Sequence, residues 1–280
     1  VWPWTDRAGR IAPFRAATFA LLFVPALWIL ARALFGDLGA RPYTTAIHLA
    51  GLWTFRFVLV ALAISPLREA WRWPTLMNVR RMIGVASFAY GMLHLGLYAA
   101  DQAFDLTKIA TEIAIRIYLT IGFVALLGLA ALAATSTDGM VRRLGGRRWR
   151  NLHRLAYPIA ILGVVHFFMQ SKLDPTEPAI MGGILGFLFL YRMLAARFRA
   201  HLAIGLAGLA IFCGAATLLG ELGYFNLLQG FPADRILDTM FGLGAGIQPP
   251  WWVLMAGLAV ATGAAVRGFA VRRGLETARG

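Results

Sequence analysis

Eight apolar runs divide this 280-residue chain, at about residues 16–35, 46–65, 82–100, 117–135, 153–170, 179–196, 201–220 and 250–270. Each is long enough to cross the hydrocarbon layer of a membrane as a helix. No water is present there to satisfy backbone groups, so such runs fold as helices and pack on one another. Hydrophobic residues make up 59% of the chain and charged residues 14%, with a mean hydropathy of +0.68, which excludes an ordinary soluble domain. The expected architecture is an all-α integral membrane helical bundle. A polar run over residues 2–15 precedes the first apolar stretch without an evident cleavable signal, so the first run is expected to be a mature span.

Charge orients the bundle. With the N-terminus in the cytoplasm, the inner segments and adjoining span ends carry twenty Arg against four acids, and the outer ones six Lys or Arg against nine acids. Arg56 alone lies in mid-span. This meets the positive-inside rule for eight spans and puts both termini in the cytoplasm of a multi-pass inner-membrane protein. The net charge of +14 follows from topology, since Arg142, Arg143, Arg147, Arg148, Arg150 and Arg154 gather in one inner loop. There they meet anionic lipid headgroups, or dock an acidic cytosolic partner. Because the charges flank spans and form no separate basic module, nucleic acid is not an expected partner. The outer loops lean acidic through Asp101, Asp105, Glu112, Asp174 and Glu177, and that field can steer a partner on the outer side.

Three of the five histidines, His94, His153 and His166, lie in or at the ends of these runs. An ionisable side chain in a membrane is expensive and marks a functional site by default. Neutral imidazole is an axial ligand of haem iron, and the interior of a helix bundle suits a porphyrin. The lone cysteine, Cys213, leaves no intramolecular disulfide, zinc ribbon or cysteine-ligated iron–sulfur cluster. In the third run His94 lies about thirteen residues from the inner end, and in the fifth His166 lies thirteen beyond His153, so both reach about 20 Å in at about 1.5 Å per residue. Two histidines at one depth on two helices are what a bis-histidine haem requires. At the inner level His153 has no histidine opposite; the matching position on the third helix is Arg80, fourteen residues before His94. Thirteen residues turn His153 and His166 about 140° apart on an ideal helix. Pro158 between them can kink the helix or leave His153 in an irregular first turn.

Other candidates have two readings each. Gly84, Gly91 and Gly96 admit a flat macrocycle to the backbone of the third helix or serve close helix packing. Arg56 pairs with a haem propionate or with a backbone carbonyl. His48 and His201 sit at span ends, where interfacial hydrogen bonding accounts for them, and the tryptophans near span ends form an aromatic belt. No nucleophile elbow, Walker loop or HExxH sequence occurs, so hydrolase chemistry finds no support. A rival class is a proton-coupled or substrate transporter using intramembrane His and Arg; it predicts an inverted repeat, and no internal repeat is read in the sequence.

The run Arg80-Arg81-Met82-Ile83-Gly84, then Ala89-Tyr90 and Leu93-His94 with Tyr98 and Asp101, resembles the third-helix signature of the MsrQ (YedZ) family. So does the stretch Leu132-Ala133-Ala134-Thr135-Ser136-Thr137, followed by Arg143-Leu144-Gly145 and by Trp149-Arg150-Asn151-Leu152-His153-Arg154-Leu155-Ala156-Tyr157. Val165-His166-Phe167 completes the likeness, which covers about residues 4–199. The resemblance implies a ferric-reductase-like membrane domain with b-type haem, one or two groups, ligated by His94 and His166 and with His153 serving the other haem. It implies electrons taken from the cytoplasmic side or quinone pool, from a cytosolic flavin reductase or quinol, and passed to a periplasmic molybdopterin methionine sulfoxide reductase, MsrP, that repairs oxidised proteins. Chemistry on the final substrate then belongs to the partner. Quinone or flavin, including FMN, is also implied, though no residue here identifies a flavin site. Ferric reductases carry a histidine where this chain has Arg80. A guanidinium is a poor metal ligand and a good carboxylate clamp, so Arg80 or its neighbour Arg81 is expected to hold a propionate.

The family core has six spans and this chain has two more. The expected division is a six-span haem-binding core over residues 1–200 and a two-span extension over 201–280. Between the last two spans, residues 232–241 are expected to form a short interfacial helix with Ile236, Leu237, Met240 and Phe241 on one side.

Overall fold

The computed structural model describes every residue except 1, 7, 172, 173, 199, 200, 243, 245 and 278–280, and side chains as far as Phe269. Both chain termini and the boundary expected at residue 200 lie outside the described residues. The helices are α1 (Pro13–Leu21), α2 (Val24–Leu34), α3 (Pro42–Ala70), α4 (Met77–Asp101), α5 (Leu106–Ile115), α6 (Ile117–Ala134), α7 (Asp138–Leu144), α8 (Gly146–His153), α9 (Ala156–Gln170), α10 (Thr176–Leu194), α11 (Leu202–Gly223), α12 (Ala233–Phe241) and α13 (Pro249–Thr277). Among the described residues there is no strand, only an isolated bridge between Thr5 and Ile11. Eight stretches of the described residues are long and apolar enough to cross a membrane, matching the eight runs of the sequence. The protein is an all-α integral membrane bundle. It forms two compact units, Val1–Leu62 with Thr75–Gln170, and Ala63–Pro74 with Ser171–Gly280.

In the first unit two spans are broken, each for a visible reason. The first span divides into α1 and α2 just before Pro25, which has no amide hydrogen to give the preceding turn. The hydroxyl of Tyr90, on α4, enters the gap. It donates to the Leu22 carbonyl at 2.7 Å and accepts from the Ala26 amide at 2.8 Å, replacing the bond those two groups would make in an unbroken helix. Ile29 of α2 and Ala46 and Ala50 of α3 pack nearby with Leu38 as a buried cluster.

The fifth span divides into α8 and α9. Pro158 is the third residue of α9, so Arg154, where its missing amide would bond, ends the preceding helix instead. The Leu155 amide reaches only three residues back, to the Leu152 carbonyl. Gly145, at φ +75°, makes the corner between α7 and α8 in a conformation that L side chains rarely adopt. Helix α5, between the third and fourth spans, was not expected from the sequence. It is capped by the Asp105 carboxylate, which accepts from the Lys108 amide at 2.9 Å.

In the second unit α10, α11 and α13 approach through glycines. A Cβ at Gly183 would meet Thr217 and Val253, and one at Gly257 would meet Ala210 and Phe187. Close approach through small residues is how membrane helices gain contact where the hydrophobic effect gives none. The short helix expected at residues 232–241 is present as α12. It buries Ile236 and Met240, while Leu237 and Phe241 remain exposed, and Trp251 donates to the Met240 carbonyl at 2.8 Å.

Candidate functional site

His94 projects from α4 and His166 from α9, and the two rings meet with centroids 6.3 Å apart and planes at 88°. The Nδ1 of His94 lies 2.8 Å from the Ile47 carbonyl of α3, and the Nδ1 of His166 lies 2.8 Å from the Tyr118 carbonyl of α6. A carbonyl only accepts, so Nδ1 carries the hydrogen in each neutral ring and Nε2 is left unprotonated, with its lone pair available. Each ring is seated against a glycine. A Cβ on Gly51 would fall 2.9 Å from His94 Nδ1, and one on Gly122 would fall 2.7 Å from His166 Nδ1.

The haem implied by the sequence resemblance can be tested against this geometry. Metal–imidazole bonds are about 2 Å long, so two rings that bind one metal from opposite sides hold their centres about 6 Å apart. The observed separation agrees. Among the described residues no group of three or more His, Cys, Asp or Glu is placed to hold a metal ion, so the two imidazoles are the donors offered here. The donor set fits a bis-imidazole porphyrin. An added Cβ at Gly84 or Gly96 meets nothing within 4 Å, which leaves open space beside α4, whereas Gly91 is closed by Leu126 and Thr54. Of the three glycines on that helix, Gly91 thus serves helix packing.

His153 ends α8 and is arranged differently. Its ring stacks on Trp149 at 3.8 Å, Nδ1 lies 3.1 Å from the Trp149 carbonyl, and Nε2 lies 3.3 Å from the Ser136 hydroxyl. Trp149 in turn donates to the Thr135 carbonyl at 2.8 Å, satisfying an end of α6 that has no helical partner. Among the described residues no second histidine faces His153. The nearby charges are Arg80 and Arg81. Arg81 is turned to Asp138 at 2.5 Å, while Arg80 is half-buried beside Tyr157. The structure therefore brings His94 and His166 together and leaves His153, Arg80 and Arg81 as a separate cluster.

The remaining candidates lie outside both groups. Arg56 places its guanidinium 5.0 Å from the Trp53 ring centre, a cation–π contact. His48 and His201 are exposed. Sequence reasoning missed Gly51, Gly122 and the two acceptor carbonyls. It also missed a network in which Tyr98 donates to Glu112 at 2.7 Å, while Arg116 holds Glu112 and the Tyr118 hydroxyl, both at 3.2 Å. Through Tyr118 this network abuts the His166 seat.

The model of the family described as "Ferric reductase like transmembrane component" matches residues 50–164. A Rhodospirillum rubrum protein named "Protein-methionine-sulfoxide reductase heme-binding subunit MsrQ" is 47% identical over 192 residues, which are 68% of this chain and 90% of that protein. Proteins of the same name from Azospira oryzae and Brucella anthropi are 39% and 38% identical, over 66% and 63% of this chain and 80% of each of them. No solved structure matches.

Proposed function

This chain belongs to the family of MsrQ haem-binding subunits of protein-methionine-sulfoxide reductase, and from that premise we propose that it carries electrons across a membrane through b-type haem held between His94 and His166. The observation that carries the reading is the facing pair itself, 6.3 Å apart with both Nδ1 atoms committed to carbonyls. Haem bound there supplies a one-electron ferric/ferrous couple, which no side chain of this chain offers. The residues do the rest. The Ile47 and Tyr118 carbonyls fix the tautomer and orientation of both rings and raise the basicity of Nε2. At the inner end Arg80, beside the otherwise engaged Arg81, clamps a propionate. His153 serves a second haem on exchanging its Ser136 contact.

On this reading electrons enter at the cytoplasmic side, from a flavin reductase or quinol, and leave to a periplasmic molybdopterin methionine sulfoxide reductase. Inner-membrane placement with both termini in the cytoplasm is supported by the charge asymmetry of the loops. The exposed Arg142, Arg143, Arg147 and Arg148 on and beside α7 and α8 suit anionic headgroups on that side. Residues 1–200 carry the redox role, and residues 201–280 are a two-span extension.

Two measurements test the proposal. Purified protein is expected to show a Soret band and dithionite-sensitive b-type α bands; a colourless, correctly folded preparation rules the reading out. His153→Ala is expected to lower haem iron per polypeptide while the low-spin spectrum of the outer site persists. An unchanged stoichiometry in that variant means that one haem is bound.

A further inference from the structure

The two imidazole seats are one seat built twice. His94 on α4 bonds to the carbonyl of Ile47 on α3 and lies against Gly51, four residues further on. His166 on α9 bonds to the carbonyl of Tyr118 on α6 and lies against Gly122, again four residues further on. Donor and acceptor are 47 residues apart in one seat and 48 in the other. One turn inward the packing repeats with partners exchanged, for Gly91 of α4 meets Leu126 of α6 while Gly163 of α9 meets Phe55 of α3. A shift of 71 residues carries Ile47, Gly51 and Phe55 onto Tyr118, Gly122 and Leu126, and one of 72 carries Gly91 and His94 onto Gly163 and His166. Such an exchange of partners is what a two-fold axis between the α3–α4 and α6–α9 pairs produces. Because consecutive spans alternate in direction, α3 and α6 run the same way, so the repeat is parallel, about an axis along the membrane normal. The absence of an internal repeat expected from sequence is thus corrected: the repeat exists in the placement of a few residues.

The glycine has a specific reason to be there. In a helix the Cβ tilts toward the N-terminus, so the side chain at i+4 lies over the carbonyl at i. That carbonyl has a second lone pair beyond the one used by the i+4 amide, and glycine at i+4 leaves it fully open to a donor from another helix. The 2.9 and 2.7 Å approaches of a Cβ to the bonded Nδ1 atoms measure this directly.

We infer that Gly51 and Gly122 are positioning residues for the two haem ligands: each uncovers the carbonyl that holds an imidazole Nδ1–H, and together they keep the two ring planes at right angles. The inference rests on the reading that haem is bound between His94 and His166. Axial imidazoles with perpendicular planes give ferric low-spin haem a highly anisotropic electron paramagnetic resonance signal at large g, whereas parallel planes give an ordinary rhombic one.

The test uses the full chain, oxidised, in detergent, with Gly51→Ala and Gly122→Ala beside the controls Gly186→Ala and Gly208→Ala, where an added Cβ meets nothing within 4 Å. The wild type and controls are expected to show the anisotropic signal. Each seat variant is expected to move toward the rhombic form, shift the haem midpoint potential and retain haem about tenfold less tightly. Seat variants with the wild-type signal and potential overturn the inference. If a seat variant fails to accumulate, Gly51→Ala is compared in the wild-type and His94→Ala backgrounds. A loss that vanishes without the imidazole supports the role, and an equal loss in both assigns Gly51 to helix packing and overturns it. A haem spectrum that survives both His94→Ala and His166→Ala removes the underlying reading, a result distinct from silent glycine variants in a protein whose histidines do hold haem.

Discussion

Replacing either His94 or His166 with alanine is expected to remove the low-spin b-type spectrum, with haem retention falling by more than about tenfold in each variant. The two losses should be alike, because the seats are alike in donor, acceptor and glycine. The remaining imidazole keeps its carbonyl bond but has no partner across the 6.3 Å gap. His48→Ala and His201→Ala, at exposed positions, should leave the spectrum unchanged. Reduced-minus-oxidised difference spectra and haem extraction against protein mass check this. An intact low-spin spectrum in either seat variant is incompatible with the ligand pair proposed.

Tyr90→Phe is expected to destabilise the first unit by about 2–6 kcal/mol without altering the His94–His166 pair. Phenylalanine preserves the ring and its edge contact with Phe57, at 5.1 Å, so the change isolates the hydroxyl. Removing it strands the Leu22 carbonyl and the Ala26 amide, which the hydroxyl now bridges within a buried site. Each buried group left without a partner costs about 1–3 kcal/mol. Thermal unfolding in one detergent, wild type against variant, reads the difference. A change below about 0.5 kcal/mol means that α1 and α2 close onto each other and form the missing bond.

The spans were legible because a membrane helix must declare itself over some twenty consecutive residues. The shared depth of His94 and His166 was legible because helical rise is fixed. Pro158 announced the break before α9, though its place one turn upstream follows from the amide that proline lacks. The Tyr90 splice could not be read, since it joins residues 64 and 68 positions apart. Nor could the doubled seat: Ile47 corresponds to Tyr118 and Phe55 to Leu126, so only a few glycines and histidines keep their identity between repeats. A backbone carbonyl leaves no mark in sequence on the residue that owns it. The missing signal was the glycine four residues later. For the inner cluster, spacing from His94 pointed to Arg80, while the repeat sets Arg81 in register with His153, since both lie thirteen residues before their histidines. Side-chain geometry adds that Arg81 is engaged by Asp138.

The Nδ1–carbonyl bonds have a consequence for the energetics of transport across the bilayer. The only exchangeable proton of each neutral imidazole is tied to a main-chain oxygen, so on the proposed reading neither ring has a proton to gain or lose as the couple cycles. An electron moving outward on the proposed path then travels uncompensated by its ligands and displaces net charge across the dielectric. With the cell interior negative, the membrane field assists that movement by up to about 2.3 kcal/mol per 100 mV for a full crossing. Repair of oxidised proteins outside the membrane would in this way be coupled to the energised state of the cell.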